Sequence, residues 1–143
     1  MALKPILLVE DNPDDEELIL RSLRKANLAN EVLVARDGAQ ALDMLYGSAS
    51  PPEGLRPALV LLDIKLPKVG GIDVLRRIRA EESTKHLPVV MLTSSSEDED
   101  IIRSYESGAN SYVRKPVDFG DFANAVQRLG LYWLLVNSVP ALD

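Results

Sequence analysis

Five short apolar runs recur along the chain with a helical pattern after each, and that alternation decides what the chain can fold into. The runs are Ile6–Val9, Val32–Ala35, Leu59–Leu62, Val89–Leu92 and Ser111–Val113. Stretches this short and this continuous suit strands covered on both faces, as in a parallel sheet. Between them Leu18, Ile19, Leu23 and Ala26 make one helical stripe, Ala39, Leu42 and Leu45 a second, and Val74, Leu75 and Ile78 a third. Ile101, Ile102 and Tyr105 make a fourth. The clearest comes last, with Phe119, Phe122, Val126, Leu129 and Trp133 spaced 3, 4, 3, 4. The pattern predicts an α/β chain of (βα)5 type. Right-handed crossovers make it a doubly wound, five-stranded parallel sheet. At 143 residues one domain of this kind accounts for the whole length, and such a domain buries roughly two-thirds of its unfolded surface.

The residues that end the runs carry the chemistry. Glu10-Asp11 follows the first run, Asp63 the third, Thr93 the fourth, and Lys115 lies just beyond the fifth. In open α/β sheets ligands bind beyond the carboxyl ends of strands, where strand order reverses. With the flavodoxin-like order 2-1-3-4-5, that reversal lies between the first and third strands, so topology and charge select one place. Two like charges ~4 Å apart repel by about 4 kcal/mol at an effective dielectric near 20. Three carboxylates gathered there must take up a proton or hold a cation. A hydroxyl and an ammonium on the same edge make the set competent for a divalent metal and a phosphoryl group.

Composition removes other classes. The net charge of −6 opposes nonspecific binding to nucleic acid or anionic membrane. With no cysteine there is no disulfide framework, thiolate metal site or thiol nucleophile. No signal-peptide pattern precedes the first strand and no run reaches the ~18 apolar residues of a membrane span, so a cytoplasmic location is expected. Acids crowd the first turn after strand one (Asp14, Asp15, Glu16, Glu17) and the stretch Glu97–Asp100. Favourable placement at positive helix N-termini explains most of them. His86 lies in a loop without an acidic orienter nearby in sequence and reads as a solvated loop residue. The irregular Gly47–Pro57 stretch, rich in Pro and Gly, reads as a surface loop.

Over about residues 4 to 128 the chain resembles the receiver domains of two-component response regulators. The motifs fall in order: Leu8-Val9-Glu10-Asp11-Asn12, then Leu62-Asp63-Ile64-Lys65-Leu66-Pro67 with Gly70-Gly71, then Met91-Leu92-Thr93-Ser94, then Gly108 to Pro116. Taken singly, Thr93 is an ordinary strand former, Lys115-Pro116 a turn and Tyr112 a core residue. Their joint position at successive strand ends reverses that. The resemblance implies that Asp63 accepts a phosphoryl group from a histidine kinase. It implies that Glu10, Asp11, Asp63 and the backbone carbonyl of Lys65 hold Mg²⁺ or Mn²⁺. It assigns Thr93, Ser94, Tyr112 and Lys115 to phosphoryl binding and switching, and makes Lys115-Pro116 a cis bond. A carboxylate is a competent nucleophile toward phosphorus, and the metal is one that prefers a few oxygen ligands. Lys65 and Ser95 occupy positions that vary among receivers and tune acyl-phosphate lifetime, so that lifetime cannot be read from the sequence.

The C-terminus, Leu131 to Pro140, resembles the tail of the stand-alone regulators that accompany bacterial phytochromes. The expectation is one receiver over residues 1–143, with an extended helix and tail at 129–143 and no output domain. Leu131, Trp133 and Leu134 belong to an apolar surplus larger than one helix face can bury, which points to a homodimer. The implied partners are a histidine kinase, with a bacteriophytochrome the candidate, and a further, unidentified protein, with neither nucleic acid nor membrane. The rivals are an aspartyl-nucleophile phosphohydrolase of haloacid dehalogenase type, a flavodoxin-like cofactor binder and a phosphorylation-independent scaffold. The first wants a second acid where Lys65 stands. The second wants Ser, Thr or Gly amides where Asn12-Pro13-Asp14-Asp15 offers acids.

Overall fold

The protein is described by a computed structural model over residues 4–25, 30–47, 55–94, 109 and 111–128. Strands β1 (Ile6–Val9), β2 (Val32–Ala35), β3 (Leu59–Asp63), β4 (Val89–Thr93) and β5 (Ser111–Arg114) form one sheet in the order β2-β1-β3-β4-β5. Every pairing is parallel. Helices α1 (Pro13–Lys25), α2 (Gly38–Tyr46), α3 (Gly71–Ala80) and α4 (Phe119–Arg128) cover the faces. This is the flavodoxin-like arrangement the apolar runs predict. Three strands run one residue further than the runs themselves, to Asp63, Thr93 and Arg114.

The strand period of two sorts the core into two layers. Ile6, Leu8, Leu59, Leu61, Val90, Leu92 and Val113 pack with Ile19 and Leu23 of α1 and Phe122 of α4. Leu7, Val9, Val60, Leu62, Val89 and Met91 pack with Ala41 and Leu45 of α2 and Val74, Leu75 and Ile78 of α3. Both faces are thus dry, which is why the strands read as unbroken apolar runs.

Two helical stripes need correction. In α1, Leu18 is 40% exposed, and the buried set is Ile19, Ser22 and Leu23. Ser22 enters the core because its hydroxyl donates to the Val117 carbonyl at 2.8 Å. In α2, Ala39 faces out, while Gly38, Ala41 and Leu45 are buried. The third stripe stands as read: Val74, Leu75 and Ile78 are all buried. The stripe at Ile101–Tyr105, most of the Gly47–Pro57 loop, Ser95, and Leu131, Trp133 and Leu134 lie outside the described residues.

The β3–α3 connection must return tightly to the strand end. Gly71 donates its N–H to the Ile64 carbonyl at 3.1 Å, and a Cβ at Gly71 would overlap the Asp63 carbonyl oxygen. Lys68 completes the turn in the left-handed region, at φ 68°. Val69 of the same loop lies against Gly38 so closely that a Cβ there would overlap its carbonyl. The loop carrying Lys65 is thereby fixed between the β3 end and the start of α2.

Candidate functional site

Register brings the site together. Val9 is level with Leu62, Asp63 with Leu92, and Thr93 with Arg114. One step beyond Val9 comes Glu10, level with Asp63. One step beyond Arg114 comes Lys115, whose N–H donates to the Thr93 carbonyl at 2.6 Å. Alternation continues the face of Leu8, Leu61 and Val113 into Glu10, Asp63 and Lys115. It places Thr93 with Met91 on the other face, where Met91 pairs with Tyr112 and Tyr112 packs against the second core layer.

The acids are close-set and unequal. One carboxylate oxygen from each of Glu10, Asp11 and Asp63 lies within 4.8 Å of the others. Glu10 and Asp63 are buried and Asp11 is exposed. Asp63 Oδ1 accepts from the Lys65 N–H at 3.2 Å and Oδ2 from Lys115 Nζ at 3.1 Å. Glu10 Oε2 accepts from the Asn12 N–H at 3.2 Å and Oε1 from Lys115 Nζ at 3.0 Å. Burial first, then the hydrogen bond and charge of Asp63, push the Glu10 carboxyl up to about 7, against the pull of Lys115 and the Asn12 amide.

Lys115 is the counter-ion. Its ammonium contacts Asp15 Oδ2 at 2.8 Å as well as Glu10 and Asp63. Burial pulls its pKa down, but the hydrogen bonds it donates to Asp15 and Glu10 and the charge of Asp63 outweigh that and leave it raised. The peptide bond that follows, Lys115-Pro116, is cis, as the resemblance implies. Thr93 is fully buried, yet its hydroxyl has no hydrogen-bond partner among the described residues. Ser94, next in the chain, is exposed, and so is His86.

Asp15 is the residue sequence reasoning missed as part of this set, since helix-end stabilisation was sufficient reason for it. The available signal was Asn12-Pro13. Asn12 Oδ1 accepts from the Asp14 and Asp15 N–H groups at 2.8 and 3.1 Å, a helix N-cap with Pro at the first helical position. That cap starts α1 immediately after the acid pair and brings its first turn over the strand ends.

The oxygen donor set suits a hard divalent cation such as Mg²⁺ or Mn²⁺, and the spacing of Glu10, Asp11 and Asp63 could hold one. The model of the response regulator receiver domain matches residues 6–127. The chain belongs to that family, and the dehalogenase and flavodoxin-like alternatives fall away. The structure of the bacteriophytochrome response regulator AtBRR is 54% identical, covers 96% of this chain and 99% of its own, and superposes with a TM-score of 0.85. Response regulator Rcp1 of Synechocystis is 37% identical over 96% of this chain and 94% of its own length. Rcp1 has been crystallised in a Mn²⁺-bound form, TM-score 0.71, covering 96% of this chain and 99% of its own. The phosphorylated cyanobacterial phytochrome response regulator RcpA is 37% identical over 93% of this chain and 95% of its own, with the same TM-score. The chain is thus a receiver similar to phytochrome-associated regulators of two-component signalling, a family that works with histidine kinases. Among the described residues no helix is long and apolar enough to cross a membrane.

Proposed function

We propose that the chain is a phosphorylatable switch in which Asp63 takes a phosphoryl group from a histidine kinase, a bacteriophytochrome being the candidate. The observation that carries this is the state of Asp63. It is a buried carboxylate at a strand end, with one oxygen fixed by the Lys65 amide and the other by Lys115, beside two further acids. An Asp63 oxygen attacks phosphorus in line as the donor leaves, forming an acyl phosphate. Phosphoryl transfer asks the protein mainly for positioning and charge neutralisation. Glu10, Asp11, Asp63 and the Lys65 carbonyl would hold Mg²⁺ or Mn²⁺, which when bound offsets the charge on the acids and on phosphoryl oxygen. Lys115 faces one phosphoryl oxygen and the Thr93 hydroxyl another, with Ser94 beside it.

The buried Thr93 hydroxyl, without a hydrogen-bond partner among the described residues, supports a switch. Drawn toward a phosphoryl oxygen, it gains a partner and frees space on the face it shares with Tyr112. The protein acts in this reading as a single-turnover switch that catalyses only its own phosphorylation and dephosphorylation. Likeness to AtBRR and Rcp1 over nearly their whole lengths supports a receiver that signals to another protein. The apolar surplus at Leu131, Trp133 and Leu134 supports a homodimer. Replacing an anchor of that kind typically costs at least ~2 kcal/mol, so Trp133→Ala should shift sedimentation toward monomer with labelling intact. A wild-type protein that stays monomeric at high concentration would remove the dimer.

The central test is intact mass after incubation with acetyl phosphate. One phosphoryl group is expected with Mg²⁺, and none in EDTA or in Asp63→Asn. Stoichiometric, persistent labelling of Asp63→Asn at another residue would overturn the assignment.

A further inference from the structure

Lys115 shares its ammonium among three carboxylates, and these differ in what they can do next. Glu10 Oε1 at 3.0 Å and Asp63 Oδ2 at 3.1 Å belong to the acid group that fits a divalent cation, whereas Asp15 Oδ2, the nearest at 2.8 Å, stands outside it. A cation held there would draw on oxygens of Glu10 and Asp63, and a phosphoryl group would occupy an Asp63 oxygen. Both would compete with the ammonium for two of its three partners. The bond to Asp15 is outside that competition. Asp15 is itself fixed, since its N–H is capped by Asn12 in the first turn of α1, and α1 is anchored by Ile19, Ser22 and Leu23.

We infer that Asp15 is a positioning residue, which keeps Lys115 Nζ over the strand ends while cation and phosphoryl group displace its other partners. The inference rests on the proposed roles of Asp63 and Lys115. With acetyl phosphate, an Asp63 oxygen forms its bond to phosphorus as the bond from phosphorus to the acetate oxygen breaks. Acetate leaves with the electron pair and no proton is transferred. The incoming charge sits on phosphoryl oxygens, where a tethered ammonium is already in place. An untethered lysine on a four-carbon stem would have to be recaptured from solvent, losing rotamer freedom at that moment.

The test is a double-mutant cycle on the labelling rate at saturating Mg²⁺, using wild type, Asp15→Ala, Lys115→Ala and the double variant, with Asp15→Asn as the conservative change. Asp15→Ala is expected to slow labelling by up to about tenfold, or ~1.4 kcal/mol of activation free energy. Asp15→Asn, which keeps an acceptor oxygen, should recover part of the rate. In the Lys115→Ala background, Asp15→Ala should have no effect, because two residues acting through one contact are not additive. A merely electrostatic role predicts the reverse, since removing an anion would speed reaction with an anionic donor in both backgrounds. A readout without phosphoryl transfer is the side-chain ammonium NMR signal of Lys115 in Mg²⁺, expected ordered in wild type and mobile in Asp15→Ala. Circular dichroism checks folding, and alanine in a helical first turn is benign. If wild type is not labelled on Asp63, the proposed function fails. If wild type is labelled and Asp15→Ala reacts as fast or faster, with Lys115 still ordered, this inference alone fails.

Discussion

Thr84 and Thr93 are both buried, at opposite ends of the sheet, and their hydroxyls are treated differently. Thr84 lies between α3 and β4, on the amino edge. Its hydroxyl donates to the Ile78 carbonyl at 2.8 Å and meets the Tyr46 hydroxyl at 2.6 Å. Around it Arg79 holds the Leu87 carbonyl at 2.7 Å and the Arg77 guanidinium lies over the Tyr46 ring, 4.8 Å from its centroid. Burial raises the pKa of Tyr46, which keeps its phenol protonated. On the carboxyl edge Thr93 has no partner among the described residues, and at the same edge the buried Glu10 carboxyl is pushed up to about 7. An unsatisfied buried polar group costs about 1–3 kcal/mol. One edge therefore satisfies its buried hydroxyls and holds the fold; the other pairs its charges but leaves the Thr93 hydroxyl without a partner among the described residues.

The largest effect on stability should come from the charged edge. In EDTA, ionising Glu10 works against the fold. Its folded-state pKa of about 7 lies above the ordinary 4.5, so the stability it contributes is full below about pH 4.5 and is lost as pH rises to about 7. At about 1.4 kcal/mol per pH unit the loss reaches roughly 3 kcal/mol. Glu10→Gln should then melt with wild type near pH 4.5 and above it at pH 8, by up to roughly 10 °C. Equal melting at pH 8 would mean that Lys115 already neutralises the edge and that the two edges are alike.

The satisfied edge should respond in the opposite direction. Thr84→Val leaves the Ile78 carbonyl and the Tyr46 hydroxyl without their buried partner and should destabilise by about 1–3 kcal/mol. Asp63 labelling should be unaffected, since the amino edge contributes nothing to the site. Thermal melts and intact mass on the same sample check both halves. A stable Thr84→Val protein with slowed labelling would break the division between edges.

The division also explains how much was legible in the sequence. While the strand order and the Lys115-Pro116 cis bond came with the resemblance to a known fold and family, the strands and the acids at their ends were readable from short-range patterns. Ser22 and Leu18 were not, because a serine is drawn into the core by a partner 95 residues away that no helical periodicity contains. Asp15 was missed for a related reason. First-turn acids are favourable wherever a helix begins, so nothing local separates the acid that reaches Lys115 from its neighbours Asp14 and Glu16. The run ends require the acid cluster to take up a proton or hold a cation without saying where; burial and the neighbouring Asp63 raise the Glu10 carboxyl.

The smallest expected change is at Thr93 itself, and its sign is the informative part. Thr93→Val removes a hydroxyl that has no partner among the described residues and keeps nearly the same shape. It should therefore raise stability by ~1 kcal/mol, where the same substitution at Thr84 lowers it. The gain comes at the cost of the switch. Asp63 should still take the phosphoryl group, because its carboxylate, its Lys65 and Lys115 contacts and the neighbouring acids Glu10 and Asp11 are unchanged. What should vanish is the response on the Tyr112 face, since no side-chain donor remains to be drawn toward the phosphoryl oxygen. Amide chemical shifts around Tyr112, recorded before and after phosphorylation, separate the two. A Thr93→Val protein that melts as low as Thr84→Val would mean the Thr93 hydroxyl is already satisfied. One that keeps the wild-type Tyr112 response would mean the signal leaves Asp63 by another route.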